Sequence, residues 1–310
     1  MKQIKFFKTG LASLFILLYA VVNSQAQVIR VDSTSNWKKS FKTGLNVNQA
    51  SFSSNWKAGG VNSFGINALL NYRASYKKNK TSWDNQFEFL YGMVNNAGQG
   101  YRKTLDRIYM ETKVGHDLNE KWSMTTSINF LSQFAKGYKY DKDATGIEVA
   151  TLISDAFAPA FITSAWGFDY HPVDYFKLSL APFSPRVTIV TDNNGRFDGV
   201  DPVKPYGVMR GESTRFEWLA FQMQAEFNKN IAENVNLKWR YMMFANYQTL
   251  EPKTIDHRLD VGLTAKVNKF MNVTLGGILI YDYDQDSGVQ LSQAFTLGML
   301  YAFQNFEEKK

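Results

Sequence analysis

The chain has 310 residues, 15% of them aromatic, a formal charge of +7, a mean hydropathy of −0.30 and no cysteine. The missing cysteines exclude disulfides and thiolate metal sites, and mild basicity without a Lys/Arg cluster does not imply nucleic acid as a partner. Beyond Val22 no apolar run reaches the roughly 18 residues that a spanning helix needs, so helical membrane spans are excluded.

Residues 1–26 read as a cleaved secretory signal. Lys2, Lys5 and Lys8 make a basic start, Leu11–Val22 a short apolar core, and Ser24-Gln25-Ala26 a small-x-small cleavage site. The mature part, 27–310, is then one domain beginning at Gln27. From there the chain alternates. Trp37, Phe41, Leu45 and Val47 share one phase, and after a turn-rich loop (Ser51–Gly60) a second segment, Val61–Tyr76, puts Phe64, Ile66, Leu70, Tyr72 and Tyr76 on one face. A period of two is a strand period, because successive side chains point to opposite faces. The same unit recurs at 81–93, 104–118, 121–134, 162–170, 175–190, 213–228, 234–248, 255–268, 271–283 and 289–303. Pro182 and Pro185 interrupt the seventh segment and predict a bulge or bend, since proline cannot donate to a ladder. Between the fifth and sixth segments lies a long connection, and its middle, Gly146–Phe157, is a candidate short helix.

Short connections follow the even segments and mostly longer ones follow the odd segments. Short periplasmic turns alternating with longer outer loops mark an outer-membrane barrel. The expectation is an all-β fold: a closed antiparallel transmembrane β-barrel of about 12 strands with both termini periplasmic. Closure further requires the last strand, Val289–Phe303, to pair with Trp37–Gln49, because an open edge in lipid leaves backbone groups unsatisfied.

The opposite phase carries the charges assigned to the lumen: Arg73, Asp84, Glu88, Arg107, Glu111, Lys113, Lys177, Lys238, Arg240, Arg258, Asp260 and Lys266. Folding about Lys78-Asn79 sets Arg73 opposite Asp84, and Glu88 and Arg107 share a level in the next hairpin. Two readings follow. The mixed signs line a polar pore, or the side chains pair and fill the interior. Eight strands give a filled interior and 16–18 an open channel, so twelve lies between.

Catalytic chemistry finds little support. His116 and His171 sit at turns, and Asp256-His257 are sequence neighbours, which on a strand point to opposite faces. No G-x-S-x-G elbow occurs. The chain is therefore read as no enzyme, without cofactor or metal. The competing class is a lipid-active barrel using His257, and a soluble periplasmic β-protein is the third. Asp282, Asp284 and Asp286 lack the spacing of an EF-hand, and Asp192–Gly199 is turn chemistry first. Trp56–Gly60 has no Lys-Ser/Thr after its glycines and is no phosphate loop.

Three stretches carry a resemblance: Phe52–Gly60 (FSSNWKAGG), Leu178–Ser184 (LSLAPFS) and Tyr206-Gly207-Val208. With the aromatic-ended last strand, they make the chain similar to the domain of unknown function 3078 family of the Bacteroidota, over about Trp37–Phe303. The resemblance implies an outer-membrane-associated β protein of no assigned activity and supplies no catalytic residues. The expected setting is the cell outer membrane. The expected partners are its lipid and proteins of an envelope complex. The expected role is a narrow channel or binder for small polar solutes, or a structural or accessory component of such a complex.

Overall fold

The computed structural model describes residues 35–53, 61–268 and 271–304. The signal segment 1–26, the Asn55–Gly60 stretch and the tail after Gln304 lie outside the described residues. In chain order the strands are β1 (Trp37–Ala50), β2 (Ser63–Lys78), β3 (Thr81–Asn96), β4 (Gly100–Asp117), β5 (Trp122–Ser132), β6 (Gly137–Lys142), β7 (Glu148–Ser154), β8 (Ala160–Val173), β9 (Phe176–Phe183), β10 (Arg186–Ile189), β11 (Thr214–Glu217), β12 (Ala220–Ala232), β13 (Val235–Asn246), β14 (Asp256–Lys266), β15 (Met271–Asp282) and β16 (Asp286–Gln304).

Twelve of these form an antiparallel ring. Its order is β8-β5-β4-β3-β2-β1-β16-β15-β14-β13-β12-β9, and β9 returns to β8. The first and last strands pair from Ser40–Gln304 to Leu45–Met299, as closure requires. Among the described residues this seam has six residue pairs, against fourteen between β1 and β2.

β9 with β10, and β11 with β12, are two interrupted strands. The register that joins Trp166 to Phe183 continues through Thr163–Arg186 to Ala160–Ile189. Arg186–Glu217 and Ala181–Gln222 likewise lie on one register. The break comes at Pro182 and Pro185, with a register shift between Trp166 and Phe168 on the facing strand. Gly167 lies at that shift. A Cβ there would meet the Leu180 carbonyl oxygen at 2.0 Å, so only glycine admits the close backbone approach.

The alternation resolves into an apolar exterior. Phe295 (73% exposed) and Leu291 on β16, Met124 and Ile128 on β5, and Trp166 on β8 stand outward. Aromatic pairs gather at its two margins. Near the short turns Trp37 meets Tyr76 and Trp83, Trp122 meets Tyr170, and Phe227 stacks on Trp239 with centroids 5.8 Å apart. Near the long connections Tyr91 meets Phe134, and Phe216 stacks on Trp218. An apolar band between two aromatic girdles is the exterior of a barrel in lipid, where amphipathic rings sit at the headgroups.

The helix expected within Gly146–Phe157 is a strand instead. β7 pairs with β6 as a separate hairpin. Asp143 closes its turn by accepting from the backbone N–H of Thr145 and Ile147, and Gly146 takes φ +82°. The run Val149–Ile153 carries three β-branched residues, which pack better on a pleated surface than in a helix. The connection after β10 folds over this hairpin. Phe197, Val190, Val208 and Ala158 are fully buried there, and the Tyr206 hydroxyl donates to the Ile153 carbonyl. Asn193 holds the same segment by donating its amide to the carbonyls of Val208, Met209 and Glu212. The result is a small cored cap at the long-connection end of the ring.

Candidate functional site: the charged lumen

Three cavities follow one another along the interior. The first, about 470 Å³, opens beneath the cap between Arg186, Arg215, Glu217, Asp256 and Asp284. The second, about 390 Å³, shares Arg186, Phe244, Asp256 and Asp282 with it. The third, about 340 Å³, shares Leu90, Arg107 and Ile278 with the second. Nearer the short turns, Glu111, Lys113, Asp169 and Gln224 line a small pocket of about 20 Å³, room for about one water molecule.

The lumen charges are ordered by ladder register. Lys177 on β9 lies opposite Glu226 on β12, Glu226 opposite Arg240 on β13, and Arg240 opposite Asp260 on β14. Four adjacent strands thus contribute one transverse row of alternating sign, an arrangement in which each neighbour attracts the next. Asp169 on β8 extends it, lying 2.9 Å from Lys177 and 3.3 Å from Lys113. Tyr109 bridges the interior. Its ring, 5% exposed, faces the guanidinium of Arg107 at 5.3 Å and that of Arg240 at 5.8 Å. β4 and β13 lie five strands apart around the ring, so this contact crosses the lumen. Nearer the cap Arg186 of β10 reaches over neighbouring strands, 3.2 Å from the Phe244 ring on β13 and 2.9 Å from Asp256 on β14.

Of the sequence-assigned charges, several meet as ion pairs. Arg107 lies 3.0 Å from Glu88, Arg258 2.8 Å from Asp260, and Arg240 3.5 Å from Glu226. Lys113 and Lys177 share Asp169. Arg73, Asp84, Glu111 and Lys238 have no ion pair within 4.0 Å among the described residues, and Lys266 ends β14 in an exposed position. The pairing of Arg73 with Asp84 does not occur. Arg73 faces Gln86 and Asp84 faces Ser75, because the turn is Asn79-Lys80 with Lys78 opposite Thr81. Asn79 takes φ +53°, a left-handed conformation that asparagine tolerates. Asp84 instead lies opposite Lys113 of β4.

Asp169, Glu226, Tyr109 and Arg186 complete the network and escaped the sequence reading. A parity signal existed for two of them. Glu226 falls between the outward Ala225 and Phe227, and Asp169 between Phe168 and Tyr170. The remaining candidates are occupied structurally. Asp256 pairs with Arg186 while His257 bonds the Tyr241 hydroxyl at 2.7 Å on the other face, so the two form no couple. Asp282 and Asp286 close their turn by accepting from the N–H groups of Asp284 and Gly288, and Asp284 binds Arg215. In the cap, Arg196 joins Asp155 and Asp192, and Arg210 joins Asp198. The hydrogen bond from Arg196 to Asp155 is the main reason the guanidinium is held above its ordinary range. Burial pushes the Asp155 carboxyl up, but the Ala156 N–H and Arg196 outweigh it and hold the group below the usual carboxylate range.

A closed antiparallel ring with an apolar exterior, two aromatic girdles and a polar lumen defines a transmembrane β-barrel. Residues 47–138 match the model of the family described as Protein of unknown function (DUF3078). No curated protein matches the chain. Among solved structures it is similar to an outer membrane channel from Pseudomonas putida F1, at 9% identity and a TM-score of 0.39, over 91% of this chain and 100% of that one. It is also similar to the NanC porin, at 7% identity and a TM-score of 0.40, over 84% and 98%. The translocator domain of the autotransporter NalP from Neisseria meningitidis aligns at 10% identity and a TM-score of 0.34, over 86% and 87%. The likeness is one of fold and carries no activity across.

Proposed function

We propose that the mature chain, from Gln27 onward, is an outer-membrane barrel that admits small polar solutes through its long-connection end and binds them in a narrow lumen. Both chain ends then lie on the periplasmic side, where the short turns are. One observation carries the reading: three cavities share lining residues in sequence, and the third reaches past Arg240 and Asp260 to Lys238, Thr274 and Asn272 near the short turns. A lumen serving only as filler has no need of a continuous recess open at one end. The cluster of Asp169 with Lys113 and Lys177 acts as the gate, since its ion pairs are side-chain contacts that part without breaking the wall.

Single-channel recording of the refolded protein in a planar bilayer tests this. Small, infrequent steps are expected from the native chain. Larger ones are expected when Asp169 and Lys177 are both replaced by alanine, because the gate loses two of its side chains. Silence from both proteins would overturn the channel reading and leave the charges as wall filling within an envelope complex.

A further inference from the structure

We propose that the third cavity is a binding site for a small organic anion, a carboxylate with a short apolar tail. The inference deepens the solute-binding reading and rests on it. The lumen cations Arg107, Lys113, Lys177, Arg186, Arg240 and Arg258 each have an acidic oxygen within 4.0 Å. Among the described residues Lys238 has none, and it lines the same cavity as Arg107, Arg240, Glu88 and Asp260. Those two acids are already engaged, Glu88 by Arg107 and Asp260 by Arg258. The Lys238 ammonium is left as the surplus charge.

A second observation points the same way. The Nε–H groups of Arg107 and Arg240 are buried and have no acceptor. Their side chains are 13% and 8% exposed, and both border the same cavity. Neither nitrogen is open to the cavity, so the two guanidiniums contribute fixed positive charge at its wall, which favours an anion beside Lys238. Leu69, Leu90, Leu105 and Ile278, with the backbone of Gly262 and Gly276, give the rest of the wall a mainly apolar surface, into which Asn67, Thr274 and Ser292 are set. A hydrophilic anion such as phosphate leaves that surface uncovered, whereas a short acyl chain covers it. The volume of about 340 Å³ lies in the range of small-ligand pockets.

The test is calorimetric titration of the protein in lipid nanodiscs with sodium hexanoate at pH 7.5, empty nanodiscs subtracted. Acetate, hexanol and hexylammonium serve as comparison probes. Hexanoate is expected to bind at least about tenfold more tightly than any of the three. Lys238→Gln is expected to weaken it by about ten- to a hundredfold, Lys238→Arg to retain it, and Lys266→Gln to leave it unchanged. Equal binding of hexanoate and hexylammonium, or an unaltered Lys238→Gln protein, would overturn the assignment. Channel steps without hexanoate preference would remove the anion site and keep the solute reading. Hexanoate binding without channel steps would do the reverse to conduction.

Discussion

Asp169→Asn isolates the energetics of the lumen. The Asp169 carboxylate is 4% exposed and is approached by Lys177 at 2.9 Å, Lys113 at 3.3 Å and the Thr125 hydroxyl at 3.3 Å. Asparagine keeps the shape and one acceptor but removes the charge. Lys113 and Lys177 then face each other with no acid inside 4.0 Å, and their side chains are only 12% and 26% exposed. Removing one partner of a buried pair costs about 3–5 kcal/mol. The lower end applies, about 3 kcal/mol, because Lys177 keeps a quarter of its surface open. That is roughly a hundredfold in the unfolding constant. Reversible denaturant unfolding in phospholipid vesicles, followed by tryptophan fluorescence, reads it directly. The double variant Asp169→Leu, Lys113→Met should regain much of the loss, because apolar replacement removes the desolvation penalty along with the pair. An Asp169→Asn barrel within about 0.5 kcal/mol of the native one would show these charges to be freely solvated, as surface pairs are, and would refute the reasoning.

Two further outcomes follow from the cap. Phe197→Ala empties a fully buried position and should cost the cap about 3–5 kcal/mol, read as faster tryptic cleavage after Lys204 with unchanged heat-modifiable mobility of the barrel. Asp155, whose carboxyl is held low, contributes stability that is fully present above the unfolded carboxylate value near 3.9 and lost as pH falls through the lower folded value. Hydrogen-exchange protection of residues 192–213, corrected for intrinsic rates, should therefore fall between pH 5 and pH 2.5, and Asp155→Asn should flatten that dependence.

The wall was legible because a barrel strand has one dominant constraint, lipid outside and water or polar partners inside. Alternation in Val289–Phe303 therefore predicted an exterior row, and Leu291 and Phe295 occupy it. Closure followed from the cost of an unpaired edge, and Phe41 pairs with Phe303. Outside the wall that constraint disappears, and the Gly146–Phe157 segment was misread there. Its β-branched content favoured a strand, but no periodic burial marked it.

The lumen was legible by face and not by partner. Parity places Arg107 and Arg240 on the inner face. It does not say that Tyr109 lies between them, because that contact depends on curvature summed over five strands. Local register is equally demanding. Moving the first turn's centre by one residue, from Lys78-Asn79 to Asn79-Lys80, changes the partner of Arg73 by two positions and leaves it on the same face.

The central claim, a barrel closed by its own ends and embedded in the outer membrane, is tested most directly by fractionating expressing cells. The membrane fraction is then run on a denaturing gel with and without boiling. The account predicts that the protein sediments with the outer membrane and migrates faster unboiled than boiled. Recovery in the soluble periplasmic fraction, with one mobility under both conditions, would contradict it.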